Sequence, residues 1–358
     1  MRQAATKRRR INLALQGGGA HGAFTWGVLD RLLEEHWLDY DTISATSAGA
    51  FNAVAMLSGL AQGGRAGARQ TLRAVWEALY RAAVPEFLRF NPFLSGMVRM
   101  EGLGAAVAPL GAMVSPYSFN PFDLNPLRDL LARHVDFAAI RASSEVGLLI
   151  GATEVSSGRA RLFRRPEVDV EVVLASACLP SLYQAVEIGG VPYWDGGFSA
   201  NPDLVMLARM SRAGDTLIVL VNPTTRDSLP TRAQEIAGQL SLITFNQPFL
   251  RDVGQIADLR EALKGSAYWL ASPSARRIVR HRHHLIEAGA HTGVLSQMSK
   301  LSPGTELLPH LFEKGREEAA RWLAAGAADL GKRGVDLAGQ FLRKGRESTQ
   351  EVLSKSLL

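Results

Sequence analysis

Cysteine is nearly absent, with Cys178 alone among 358 residues. A disulfide framework within the chain is therefore excluded, and the pattern fits a reducing compartment and an ordinary core thiol. Long apolar runs are also missing. The most apolar stretch, residues 45–61, is interrupted by Ser47, Asn52 and Ser58 and falls short of the roughly 20 residues a spanning helix needs. Residues 11–15 run directly into Gln16, Gly17, Gly18 and Gly19, too soon for the apolar region of a cleaved leader, so an uncleaved, cytoplasmic chain is expected. Acids are absent from the first ten residues, which hold Arg2, Lys7, Arg8, Arg9 and Arg10. Those five, out of 40 Lys and Arg against 34 Asp and Glu, leave only one unit of the net charge of +6 for everything else. The pI of 9.7 thus describes a basic tail at 1–10, expected to be flexible, and a body that is close to neutral. Aromatics able to stack on bases are not interleaved with those cations, so no nucleic-acid partner is expected.

What remains is a chain with 47% apolar residues, ample for a core. Residues 11–15 form a short apolar run that ends at glycines, and residues 23–33 then show helical spacing through Phe24, Val28, Leu29 and Leu32. Strand-like residues 42–45 repeat the unit, leading into helical spacing at Phe51, Val54, Ala55 and Leu57. Two strand-to-helix units in about 50 residues predict parallel strands joined by right-handed crossovers. Residues 60–69 look like a glycine-rich connection, and 72–80 a helix. Residues 85–121 lose all period while carrying Phe87, Phe90, Phe93, Met97 and Met100, the composition of an apolar insertion or lid. Further on, the spacing predicts helices at 124–134, 171–177, 204–210 and 232–263. It predicts strands at 146–152, 160–163, 183–188, 191–194, 216–221 and 277–285. His281, His283 and His284 alternate with arginines and are expected on a solvated face. From Glu306 the pattern is helical to the end, with Leu307, Leu308, Leu311, Phe312, Trp322 and Leu323 in one stripe. Three regions result: the tail at 1–10, a body at 11–285 and a helical extension at 286–358.

Three positions bear chemistry. Gly17, Gly18, Gly19, Ala20, His21 and Gly22 fit GxGxxG, which suits a dinucleotide, and also make a nest of N–H donors for an oxyanion. The dinucleotide fingerprint wants an acid at the end of the second strand, where Ala45 stands instead. After that strand come Ala45, Thr46, Ser47, Ala48 and Gly49, a turn with serine at its apex. Such an elbow exposes a hydroxyl at a helix N-terminus, although a serine there also serves as a plain N-cap. Asp195, Gly196 and Gly197 follow a hairpin and present a carboxylate among glycines.

In that order, and with the ASACLP segment at 175–180, these motifs resemble the patatin-like phospholipase family. The resemblance spans about residues 11–263. It implies a three-layer α/β/α patatin-like fold with a central, mostly parallel sheet, here with a helical C-terminal extension. It implies hydrolysis of carboxylic esters of lipids by a Ser47–Asp195 dyad through an acyl-enzyme, with oxyanion amides from Gly17, Gly18 and Gly19 and no cofactor or metal. Ala45 replaces the first glycine of the elbow, and His21 stands where the family often has Arg or Lys; Gly22, Gly49, Gly196 and Gly197 flank the site. A lipid or acyl ester is the implied substrate, and a membrane or lipid-inclusion surface, or a second subunit through the C-terminal helices, the implied partner. The alternatives are a hydrolase of storage polyester or acyl thioester, a dinucleotide-binding protein using the glycine loop, and an inactive scaffold coating a lipid surface.

Overall fold

The computed structural model describes residues 8–83, 115–143, 145–225, 229–293 and 306–343. Most of the insertion expected at 85–121, the tail up to residue 7 and the last part of the C-terminal extension lie outside the described residues. Eight strands form one sheet in the order β5-β6-β3-β2-β1-β7-β8, with β4 paired to β3. The strands are β1 (Arg9–Leu15), β2 (Leu38–Thr46), β3 (Gly147–Glu154), β4 (Ala160–Arg164), β5 (Val186–Ile188), β6 (Val191–Asp195), β7 (Asp215–Leu220) and β8 (Arg282–Glu287). Pairs β1–β2, β1–β7, β2–β3 and β7–β8 are parallel, whereas β3–β4, β3–β6 and β5–β6 are antiparallel.

The parallel strands are apolar on both faces because both are covered. Leu13, Leu15, Leu217 and Val219 face a core shared with α1 (Gly22–Leu32), α2 (Ala48–Ala83) and α4 (Val170–Ser176), with α3 (Pro126–His134) set against α2. Ala14, Ile218 and Leu220 face the opposite core, against α5 (Leu204–Met210), α6 (Ala233–Ala262) and α7 (Pro273–Arg280). Asn125 caps α3, its side chain accepting from the Leu127 amide.

Four boundaries differ from expectation. β1 begins at Arg9, so the basic run enters the sheet: Arg8 and Arg10 lie 3.6 and 3.8 Å from Asp39 and Asp41. The connection expected at 60–69 shrinks to one corner in α2, where Gly64 takes φ 59° and only glycine tolerates the bend easily. Residues 273–280 are helical, which shifts the last strand to 282–287 and makes the histidines internal. The C-terminal stripe belongs to α8 (Leu307–Ala325), which is followed by short turns rather than a continuous helix. α8 packs on α1 with glycine at both crossings, since a Cβ on Gly27 would collide with the Phe312 carbonyl and one on Gly315 with the Phe24 carbonyl. Leu308, Leu311 and Trp322 are buried there, and Arg316 pairs with Asp30 and Glu34. Leu308, Leu311 and Trp322 of the stripe are thus covered within the chain, while Leu307, Phe312 and Leu323 stay half-buried.

Candidate active site

Sheet register alone brings Ser47 and Asp195 together. A strand has two edges, and β4 occupies one edge of β3 from residue 149 to 153. The other edge is held by β2 as far as Thr46 opposite Gly151, and from the next residue by β6, with Asp195 opposite Ala152. β2 runs parallel to β3 and β6 antiparallel, so their C-terminal ends converge head-on. Ser47 leaves one end and Asp195 the other.

Ser47 sits between β2 and α2 at φ 53°, a left-handed conformation that a residue with a side chain adopts only under constraint. Its N–H donates to Ser176 Oγ at 2.9 Å, and that hydroxyl donates to the Gly151 carbonyl at 2.6 Å. Thr46 is fixed likewise, its hydroxyl donating to the Ala200 carbonyl at 2.5 Å. Gly49 lets α2 start close to the sheet, because a Cβ there would strike the Leu15 carbonyl. Ala45, by contrast, is a buried β-strand residue with an ordinary backbone, so its methyl group is accommodated in the core.

Asp195 is fully buried, its own amide donating to the Cys178 carbonyl at 2.8 Å. Oδ1 accepts the Gly197 amide at 2.7 Å, whereas Oδ2 has no partner at hydrogen-bonding length and angle. Burial pushes the carboxyl up to about 7, offset in part by the Gly197 amide and by the Ser47 hydroxyl. The hydroxyl therefore lies near enough to act on the carboxylate without closing a bond to it, as acid–base pairs in ligand-free sites commonly do. Gly196 and Gly197 are needed for close approach: a Cβ would meet the Gly151 carbonyl at the first and the Phe245 ring at the second.

The glycine loop corrects one expectation. The Gly17 amide donates to Asn201 Oδ1 at 2.7 Å and is not available as a donor to a ligand. Among the described residues no acceptor takes the amides of Gly18 and Gly19, the latter at φ 58°. The loop is tethered from behind by Gln16, whose Oε1 accepts the Val221 and Asn222 amides at 2.9 Å each, and by Asn222 donating to the Gly17 carbonyl at 3.0 Å. His21 is buried where the loop turns into α1, and Gly22 lies against Ala48 and Trp76. Asn201 and Gln16 had no motif to announce them, and Ser176 stood only within the ASACLP segment, without a role of its own.

Cys178 is a buried thiol, pushed up to about 12 by its burial. His281, His283 and His284 lie inside the protein at the far end of the sheet, not on a solvated face. Nε2 of His281 meets Thr216 Oγ1 at 2.6 Å, and His284 meets Asp215 at 3.0 Å. Among the described residues no group of three His, Cys, Asp or Glu is placed to hold a metal ion.

A family model for patatin-like phospholipase matches residues 13–208, and the chain belongs to that family. Its strand order, elbow serine and aspartate turn lie within the matched region, apart from β7 and β8. No curated protein matches the chain. Among solved structures, VipD from Legionella pneumophila is similar at 14% identity over 90% of this chain and 67% of that one, with a TM-score of 0.41. The heterodimeric complex ExoU-SpcU from the type III secretion system of Pseudomonas aeruginosa is similar at 16% identity over 98% and 78%, with a TM-score of 0.30.

Proposed function

We propose that this member of the patatin-like phospholipase family hydrolyses carboxylic ester bonds of lipids with Ser47 as nucleophile and Asp195 as its base. The observation that carries the proposal is the head-on convergence of β2 and β6, which sets a constrained serine beside a buried carboxylate with one oxygen open. Ser47 Oγ attacks the ester carbonyl carbon as its proton passes to Asp195 Oδ2. The carbonyl oxygen becomes an oxyanion facing the amides of Gly18 and Gly19 and the N-terminus of α2, which favour negative charge. Collapse breaks the ester C–O bond, and Asp195 returns the proton to the departing alcohol. Water then attacks the acyl-enzyme, giving its proton to Asp195, and the fatty acid leaves as Ser47 regains its hydrogen. A pKa of about 7 suits a group that must accept and return a proton near neutrality.

A lipid ester is favoured over a storage polyester or an acyl thioester because of the family alone, and a panel of those three substrates separates them. The dyad is tested by ester hydrolysis in Ser47→Ala and Asp195→Asn, which should each lose nearly all activity while remaining folded.

A further inference from the structure

We infer that the first half of α6, with Leu229 before it and Tyr117, Phe122 and Leu124 across from it, is the face by which this protein sits on a lipid surface, delivering substrate to the Ser47 end of the sheet. The inference rests on the proposed function for its choice of partner, and on geometry for its location.

α6 runs antiparallel to the parallel strands. Asn246 bonds the Pro223 carbonyl at 2.8 Å and Gln16 at 3.2 Å, at the C-terminal ends of β7 and β1. Arg260 bonds the carbonyls of Val279 and His281, just before β8 begins. Residues 233–244 therefore project past the strand ends on the side where Ser47 and Asp195 emerge, by up to about 18 Å at 1.5 Å per residue. The projection starts at the dyad itself, since the Phe245 ring lies against Gly197 and its carbonyl accepts from Asn201 at 2.9 Å.

Ile236, Leu240 and Ile243 are 42%, 59% and 46% exposed, at the spacing of one helix face, and Leu229 is 86% exposed. Between Arg232 and Arg251 the single charged residue is Glu235. A face this poor in charge, with exposed Arg232 at its edge 4.0 Å from Glu235, matches the hydrocarbon boundary of a bilayer. The second apolar group lies on the other flank of the same end. Val186 pairs with Tyr193, so Gln184 is level with Asp195, and Gln184 and Ala185 bond Asn120 and Tyr117. Phe122 and Leu124 of that segment are 83% and 49% exposed. No described helix is long and apolar enough to cross a membrane, so contact is with the surface layer. α8, the other amphipathic candidate, is already covered by α1.

The test is co-sedimentation of the full chain with phosphatidylcholine vesicles at low and high salt, using the parent, Ser47→Ala and the double variant Leu240→Asp/Ile243→Asp. Both substituted residues are exposed, and melting curves check that the variant folds. Expected is salt-insensitive binding by the parent and by Ser47→Ala, at least tenfold weaker partitioning of the double variant, and unchanged hydrolysis of a soluble p-nitrophenyl ester by that variant. Parent-level vesicle binding by the folded double variant would overturn the inference. So would binding that requires anionic lipid and disappears at high salt, or a parent dimer that the double substitution dissociates without weakening vesicle binding. If the parent fails to hydrolyse the soluble ester, the proposed chemistry fails, while the vesicle comparison still decides the face.

Discussion

Replacing Ser176 by alanine removes a hydroxyl that serves two masters in the interior. It accepts the Ser47 amide at 2.9 Å and donates to the Gly151 carbonyl at 2.6 Å, and all three residues are buried. Ser176→Ala leaves one buried donor and one buried acceptor without this partner. Each such orphan costs about 1–3 kcal/mol, so the pair should cost about 2–6 kcal/mol. Native domains hold only about 5–15 kcal/mol in total, so urea unfolding followed by circular dichroism resolves the loss readily. The Ser47 amide is also what pins the elbow at φ 53°, and a small displacement of a nucleophile lowers turnover by up to about 10²-fold. The variant should therefore show a kcat for ester hydrolysis reduced about 10–10²-fold, with KM little altered. A folded Ser176→Ala protein within about 0.5 kcal/mol of the parent, with kcat within twofold, would refute the idea that this bridge holds the elbow.

Burial raises the Asp195 carboxyl to about 7, so the reactive carboxylate is lost as pH falls; kcat/KM should drop about tenfold per unit below that value and level off above it. The same shift has a stability consequence. The folded state holds this proton more tightly than the unfolded chain, so the group's contribution to stability declines as pH rises from about 4 to about 7, and Asp195→Asn should be no less stable than the parent at pH 8. Gly315→Val drives a side chain into the Phe24 carbonyl and should lower stability by about 1–3 kcal/mol, read as a lower melting temperature; an unchanged melting curve would show that α8 does not need its close seat on α1.

Much of this molecule was legible in its residues because the devices that carry it are local. Period and punctuation located α5 at Leu204–Met210, the hairpin about Gly189 and Gly190, and the strand-to-helix elbow at Ser47. The glycines at 49, 196 and 197 mark places where backbone meets backbone or ring, which is why they stand out as motifs. What stayed hidden depends on partners far along the chain. The Gly17 amide is occupied by Asn201, 184 residues away, and no local pattern distinguishes that amide from its neighbours at Gly18 and Gly19. Ser176 lies in the ASACLP segment, but its bridge from Ser47 to Gly151 exists only once β3 places Gly151 beside it. The histidines near residue 283 alternate with Arg280 and Arg282, the mark of a solvated strand. Helix α7 absorbs Arg280 at its end, and Asp215 neutralises Arg282 at 2.8 Å, which lets the ring side chains turn inward. The two-glycine corner in α2 shows the converse error, in which composition suggested a loop and a single backbone break sufficed.

The central claim is that Ser47 and Asp195 act as one unit, and comparing each single variant with the pair tests it most directly. Hydrolysis of a p-nitrophenyl ester by Ser47→Ala, by Asp195→Asn and by the double variant, each confirmed folded, should fall by several orders of magnitude in every case. The double variant should be scarcely worse than either single one, because removing one member of a cooperating pair already abolishes the reaction it performs. Activity within tenfold of the parent in either single variant, or losses that multiply in the double, would contradict the dyad.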